Sequence, residues 1–249
     1  MFLAKTATSS EWKAIAAAVK TLVEEATFEA NSQGLTFRAM DPSHVALVDL
    51  ALPNASFASF ECDKPFKFSV RVEDLVKLIG RSDSKDSVEI SSTEEDAIAV
   101  KLSNGYKREF TIHLIESTAG SAPLPKLEFD TKASLTKTIL EKVLGDISVV
   151  SDQVTMQASK EKITFSGKSD VGKAEISLAG NDADVLEFKG ADSRATYSID
   201  YVSGILKALG GVTDTVQVEF STKKPLRLEL KLNDQGAKMW YFLAPRVQD

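Results

Sequence analysis

Asp41, Ser43 and His44 are close neighbours and carry the three side-chain types of a hydrolytic triad. In a triad, the carboxylate, imidazole and hydroxyl converge from separate segments, because each group must orient the next. Residues this close in sequence do not meet that requirement. The sequence also contains no Gly-x-Ser-x-Gly elbow, Walker loop or His-Glu-x-x-His motif. A hydrolase that uses His44 with a distant acid is one hypothesis, and retained activity in His44→Ala would remove it.

The remaining reactive side chains are few. Cys62 stands between Glu61 and Asp63, whose negative charges are expected to raise the pKa of the thiol and make it less reactive. A single cysteine excludes an internal disulfide. One Cys and two His, at 44 and 113, are too few for a structural zinc site, which usually takes four such ligands. We therefore expect no catalytic residue, no metal and no cofactor.

Basic residues are the other chemistry-bearing group. The chain has 249 residues, of which 30 are Lys or Arg and 36 are Asp or Glu, giving a net charge of −6. Duplex binding is carried largely by Lys and Arg on phosphates, so an acidic chain can bind DNA only if its cations gather on one surface. Each of the four predicted helices carries basic residues, namely Lys13, Lys20, Lys77, Arg81, Lys137, Lys142 and Lys207.

Lysine on an exposed helix face is also common without any ligand, because it is a soluble, strong helix former. The acidic residues cluster elsewhere, at 83, 86, 94–96, 182 and 184. The basic residues therefore predict a DNA surface only if the four helices line a common face.

Hydrophobic periodicity predicts the elements that position these residues. Helical patterns cover 8–26, 73–79, 134–146 and 201–209, and Thr8 and Glu11 have the spacing of a capping box. Most of the remainder alternates with period two, as strands do, at 36–40, 45–52, 67–70, 97–102, 109–114, 175–178 and 227–232. The pattern predicts an α+β fold with antiparallel sheets and helices on one face.

The pattern occurs twice, about 128–130 residues apart. In the first copy, a helix and a glycine follow Phe68-Ser69-Val70. In the second copy, a helix and two glycines follow Tyr197-Ser198-Ile199. A period this long indicates a duplicated domain rather than a solenoid. Small, polar and proline residues at 116–126 are typical of a linker. We expect domains at 1–115 and 131–249, joined by a connector at 116–130.

No apolar run approaches the ~18–20 residues of a membrane helix. The first residues also lack the basic region, apolar stretch and cleavage site of a signal peptide. We therefore expect an intracellular protein without membrane contact.

The block Leu35–Val48 closely resembles the signature of the sliding clamps, the proliferating cell nuclear antigen family, and so does the segment Tyr241–Val247. The resemblance covers the whole chain, and the short tail and single cysteine are similar to the archaeal branch. It implies a duplicated DNA-clamp fold, with sheets outside and two helices per domain on the inner face. It also implies a homotrimeric ring that encircles duplex DNA and tethers replication and repair enzymes, in the cytoplasm of an archaeon or the nucleus of a eukaryote.

By the same resemblance, short helical motifs of DNA polymerase, clamp loader, flap endonuclease and DNA ligase would bind an apolar groove. The matching positions are Met40, His44, Val45, Leu47, Leu124, Pro125, Phe129, Pro225, Phe242, Ala244, Pro245 and Arg246. One departure is Gly80, where many relatives have a second lysine, so the role of the second helix depends mainly on Lys77.

The ring would close through strands 108–114 and 173–179 of neighbouring subunits. The residues implied at this interface are Arg108, Phe110, Ile112, Leu114, Lys173, Glu175, Ser177 and Ala179. The competing hypothesis is a monomeric, non-catalytic nucleic-acid-binding β domain, which the mass in solution would distinguish from a ring.

Overall fold

A computed structural model describes residues 1–93, 96–116 and 122–247. The chain divides into two compact units. The first contains Met1–Pro123, Ala208–Val212 and Lys231–Met239, and the second contains the remainder. Two predicted features, the acidic residues at 94–95 and the part of the linker at 117–121, lie outside the described residues.

The described part of the first half contains nine strands, two α-helices and one turn of 3-10 helix at Asn54–Ser56. The strands are β1 (Phe2–Thr6), β2 (Glu25–Asn31), β3 (Gly34–Met40), β4 (Ala46–Pro53), β5 (Ser59–Cys62), β6 (Phe66–Arg71), β7 (Ser87–Ser92), β8 (Ala97–Asn104) and β9 (Tyr106–His113). The helices are α1 (Ser10–Lys20) and α2 (Val72–Gly80). One sheet has the order β5-β1-β7-β8-β9, and β6-β2-β3-β4 pair in that order in another, all antiparallel.

The second half repeats this order of elements. Its strands are β10 (Thr131–Thr136), β11 (Gln153–Ala158), β12 (Lys162–Ser169), β13 (Gly172–Ala179), β14 (Val185–Lys189), β15 (Ser193–Ser198), β16 (Thr215–Phe220), β17 (Leu226–Lys231) and β18 (Lys238–Leu243). Its helices are α3 (Lys137–Ser148) and α4 (Ile199–Ala208). In the second unit, β14-β10-β16-β17 and β15-β11-β12-β13 are antiparallel and correspond strand by strand to the two sheets of the first. The predicted α+β class and the duplication are confirmed.

The core of each unit lies between its helices and sheets. In the first unit, the predicted apolar stripe of α1 is buried, including Trp12 and Ile15. Trp12 meets the ring of Phe28, which stacks on Phe68 at 5.3 Å between centroids. In the second unit, α3 buries Leu140, Val143, Leu144 and Ile147. This burial leaves the opposite faces of the helices free to carry charge.

The first helix is shorter than predicted. It ends at Lys20, and Glu25–Asn31 form β2, because pairing of β2 with β6 takes the chain out of the helical conformation. The predicted capping box is also wrong. Ser9, not Thr8, precedes the helix, and its hydroxyl donates to the carbonyl of Asp83 at 2.7 Å instead of capping.

The third helix also differs from its predicted bounds. Residues 134–136 belong to β10 and pair with β16, so α3 begins at Lys137. The hydroxyl of Thr136 accepts a hydrogen bond from the backbone N–H of Ile139, which fixes that start. Within the described chain, none of the four helices combines the length and apolar character needed to cross a bilayer.

Two glycines determine how hairpins of the first unit turn. Gly34 has a φ of +144°, and a Cβ there would lie 2.1 Å from the carbonyl oxygen of Leu52. Gly105 has a φ of +79° in the turn that joins β8 to β9. Residues that carry a side chain disfavour both of these φ values. Glycine is therefore required where β2 meets β3 and where β9 begins.

Candidate functional site

The helices of the first unit expose most of their predicted basic residues. Lys20, Lys77 and Arg81 are exposed, and Lys77 pairs with Glu73 one turn earlier at 2.8 Å. The hydrogen bond and charge of Lys77 lower the pKa of Glu73, and Glu73 raises the pKa of Lys77 in turn. Lys13 differs, because it is only half-exposed and its Nζ donates to the carbonyl of Ser82 at 2.6 Å. Its ammonium group is therefore engaged at the end of α2.

The second unit repeats this division. Lys142 and Lys207 are exposed, while Lys137 has a side chain only 12% exposed and pairs with Glu141 at 3.0 Å. Glu73 and Glu141, which lie outside the acidic clusters of the sequence, therefore place carboxylates on α2 and α3 beside these lysines. Within residues 1–93, 96–116 and 122–247, the side-chain ammonium groups of Lys20, Lys142 and Lys207 make no hydrogen bond or ion pair.

The family signature forms a tight turn between β3 and β4. One carboxylate oxygen of Asp41 accepts the backbone N–H groups of Val45 and Ala46, both at 2.7 Å, and the other accepts that of Ser43 at 3.3 Å. His44 has a φ of +58° and is exposed. The carboxylate of Asp41 thus organises the turn by accepting three of its backbone N–H groups.

The predicted groove residues of the first unit do not all lie on its surface. Met40 and Val45 are half-buried and His44 is exposed, as a binding surface needs. Leu47 is only 3% exposed, and Ala46 and Val48 beside it in β4 are buried too, so both faces of the strand are covered at this point. The expectation that Leu47 lines an open groove is corrected on this point, and its side chain belongs to the core of the chain.

Leu47 provides a direct stability prediction. We expect Leu47→Ala to lower the free energy of unfolding by about 2–5 kcal/mol, because truncation of a buried leucine removes apolar burial and leaves a cavity. For a domain protein of this size, that change corresponds to a melting temperature lower by about 5–15 °C. Thermal denaturation followed by circular dichroism would measure the melting temperature. An unchanged midpoint would indicate that Leu47 lies on the surface.

In the second unit, the connector meets the turn before β17. Lys224 Nζ donates to the carbonyl of Glu128 at 3.0 Å. The guanidinium of Arg227 lies 4.9 Å from the ring centroid of Phe129. Phe129 and Pro225 are half-buried, and they lie on the two segments that these contacts join.

The other groove positions of the second unit divide by exposure. Leu124 is 43% exposed, while Pro125, Ala244 and Pro245 are half-buried. Arg246 is exposed, and its backbone N–H donates to the carbonyl of Thr196 at 2.7 Å. Phe242 is only 5% exposed and packs into the core from β18, contrary to the predicted groove role. Because the twelve positions belong to two compact units, their meeting on one surface stays a prediction.

The strands predicted to join subunits lie at sheet edges. In the described chain, β9 has β8 as its neighbour and ends one sheet, and β13 has β12 as its neighbour and ends another. Phe110 and Leu114 are half-buried and Ile112 is buried, whereas Lys173, Glu175 and Ser177 are exposed and Ala179 is half-buried. Lys173 pairs with Glu175 at 2.6 Å. Arg108, also predicted at the interface, is instead directed into its own chain.

The turn after α2 is held by side chains that the sequence analysis did not connect. The carbonyls of Arg81, Ser82 and Asp83 accept from Arg108, Lys13 and Ser9. Asp86 is fully buried, and its carboxylate accepts from the guanidinium of Arg108 and from the N–H of Asp83. In the sequence, this turn was marked only by two acidic residues, Asp83 and Asp86. Nothing in the sequence pattern indicated that the side chain of Asp86 is buried.

The pKa of the Cys62 thiol is raised, as expected, but its neighbouring charges are not the main cause. Partial burial is the main cause that raises the pKa of the Cys62 thiol, and Asp63 adds to it. The terminal ammonium of Met1 acts in the opposite direction. Within the part of the chain that the structure describes, no group of three His, Cys, Asp or Glu side chains could hold a metal ion.

Comparison with known proteins places this geometry in a family. Residues 1–117 match the model of the N-terminal domain of proliferating cell nuclear antigen, and residues 123–246 match that of its C-terminal domain. The chain is 45% identical to the DNA polymerase sliding clamp of Cenarchaeum symbiosum (strain A), over 99% of this chain and 98% of that relative.

Two solved structures show the same fold. The A. fulgidus clamp with the C-terminal region of FEN-1 bound superposes with a TM-score of 0.92 at 27% identity, covering 100% of both chains. A chain of the PCNA2–PCNA3 complex from Sulfolobus tokodaii gives a TM-score of 0.91 at 28% identity, covering 99% of this chain and 100% of that one. The chain belongs to the proliferating cell nuclear antigen family, that of the DNA polymerase sliding clamps.

Proposed function

We propose that three copies of this chain close into a ring that encircles duplex DNA and acts as a processivity factor. The observation that supports this most is that β9 in the first half and β13 in the second are each an edge strand of a sheet in the described chain. An unpaired strand edge is a template for pairing with another chain. Different edges on one subunit give head-to-tail contacts, which close into a ring when the rotation allows it.

A pocket beside β9 supports a protein neighbour at that edge. It has a volume of about 520 Å³, and its lining includes Leu78, Ile112, Leu114 and Ile115. Leu78 lies on α2, and the other three lie on β9 or directly after it. Apolar side chains beside an unpaired strand favour docking of a second surface over exposure to water.

We propose that the exposed lysines on α1 to α4 face the duplex. Ammonium groups on helices contact phosphates without reading bases, so the binding does not depend on sequence. Each contact is weak and screened by salt, and the closed ring rather than affinity retains the DNA. Such a role needs no catalytic residue, and we propose that the chain is a scaffold without enzymatic activity, acting on the archaeal nucleoid in the cytoplasm.

The partners proposed are DNA polymerase, clamp loader, flap endonuclease and DNA ligase. Their short helical motifs would occupy a groove that includes Met40, Val45, Leu124, Pro125 and Pro245. An amphipathic helix binds such a groove through anchors on one face. The FEN-1 segment bound to the A. fulgidus clamp supports a short peptide as the ligand.

The mass in solution tests the ring. We expect a particle three times the 27.0 kDa of one chain at micromolar concentration, because pairing of β9 with a neighbour's β13 uses both of these edges on every subunit once the ring closes. Light scattering coupled to gel filtration would measure it. A stable 27 kDa species under these conditions would favour the monomeric β-domain hypothesis instead.

A further inference from the structure

The turn 81–86 joins three elements with different proposed roles. Ser9 precedes α1, Lys13 lies on α1, and Arg108 lies on β9. Their side chains donate to three successive carbonyls of the turn, at 2.7 Å for Ser9, 2.6 Å for Lys13 and 2.7 Å for Arg108. The end of α2 is therefore tied both to α1 and to the edge strand.

Asp86 is the centre of this arrangement. Its side chain is fully buried, and one carboxylate oxygen accepts both the N–H of Asp83, at 2.6 Å, and the guanidinium of Arg108. The N–H of Asp83, followed by Arg108, keeps the pKa of Asp86 below its ordinary value despite burial. The carboxylate is therefore charged at neutral pH, and a charge-assisted hydrogen bond of this kind is stronger than a neutral one.

Arg108 is committed to its own chain. Its side chain is 18% exposed, Nη2 reaches Asp86, and Nη1 reaches the carbonyl of Arg81. The guanidinium also lies 4.8 Å from the ring centroid of Tyr106, two residues earlier on the same strand. A side chain with these partners restrains the backbone of β9 rather than reaching for a neighbouring subunit.

An edge strand needs such a restraint. β9 pairs with β8 along one side, and along the other it has no strand in the described chain. Ordering a mobile segment on binding costs conformational entropy, so fixing it beforehand strengthens association. Resting on the ring proposed above, we infer that Asp86 is a positioning residue for ring closure. By holding Arg108, it fixes β9 in the conformation that a neighbouring subunit pairs with.

The test compares Asp86→Asn with the parent chain during dilution. Asparagine keeps the shape of the side chain but removes the charge that holds Arg108. We expect the concentration of half-dissociation of the trimer to rise about tenfold or more, with the far-UV circular dichroism unchanged. Mass photometry at nanomolar concentration measures the trimer fraction.

A matched control uses a second, partly buried ion pair of the first unit. Arg38 and Asp49 pair at 2.9 Å between β3 and β4, in a different sheet from β9. Asp49→Asn removes the same charge, and we expect it to leave the dissociation of the trimer unchanged. An equal loss of trimer in both variants would assign the effect to charge or general stability and overturn the inference.

Arg108→Lys is the second test variant. It keeps the positive charge, but one ammonium group cannot serve both Asp86 and the carbonyl of Arg81 as the guanidinium fork does. We expect weaker trimers here also. Unchanged dissociation in both variants, or dissociation only in step with loss of the circular dichroism signal, would overturn the inference and leave the ring intact. A parent chain that is itself monomeric would contradict both the proposed ring and this inference.

Discussion

Replacing Lys20, Lys77, Lys142 and Lys207 with alanine is expected to reduce clamp-dependent stimulation of a DNA polymerase by about tenfold or more at physiological salt. These four side chains are exposed on α1 to α4, and in a trimer the substitutions remove all four from each of the three subunits. Removing one ammonium group from a phosphate lowers the salt dependence of binding by about one unit of slope on logarithmic axes. Primer extension across a salt series would measure both effects.

The control for this variant removes the same number of charges elsewhere. Lys126, Lys160, Lys189 and Lys231 are exposed and lie outside the helices. Their replacement by alanine should leave stimulation and its salt dependence near parental values. We exclude Lys13 and Lys137 from the test, because their hydrogen bonds and ion pairs within the chain would mix stability with binding. Equal stimulation by both variants would contradict the assignment of the helices to DNA.

The second prediction concerns the partner groove. Leu124→Ala and Pro245→Ala are each expected to weaken an aromatic-anchored helical peptide by about thirtyfold, because an anchor at a hot spot contributes about 2 kcal/mol or more. Neither residue is buried in the chain, so the melting temperature should stay within about 2 °C of the parent. Fluorescence anisotropy with a labelled peptide from a replication enzyme would measure the affinity.

Leu186→Ala is the matched control for the groove. Leu186 is 56% exposed on β14 and is not among the predicted groove positions. We expect its replacement to change neither peptide affinity nor melting temperature. If Leu124→Ala and Pro245→Ala bind the peptide as tightly as this control, the groove lies elsewhere on the clamp.

The architecture followed from periodicity that the sequence displays directly. The patterns at 97–102 and 227–232, the second strictly alternating, predicted strands that the structure contains, and the repeat predicted the second half from the first. The apolar stripe that contains Trp12 and Ile15 predicted which face of α1 is buried. These features depend on local spacing, so one sequence is enough to find them.

Other features depended on tertiary neighbours that spacing does not encode. Helical periodicity continues past Lys20, but pairing with β6 takes the segment from Glu25 into a strand. Leu47 matches a groove position by resemblance, yet the structure buries it in β4. The role of Arg108 depended on a buried partner 22 positions away, Asp86. Tertiary burial decides each of these, and propensity alone cannot predict it.

The intrahelical ion pair of α2 has a consequence for how fast the clamp travels. Lys77 pairs with Glu73 at 2.8 Å, one helical turn earlier. On the proposal that α2 faces the duplex, an ammonium group that leaves its own carboxylate for a passing phosphate exchanges one anion for another, so little free energy changes at each step. The energy profile along the duplex would then be smooth. With shallow minima, friction would come mainly from the solvent, and we expect one-dimensional diffusion to be rapid.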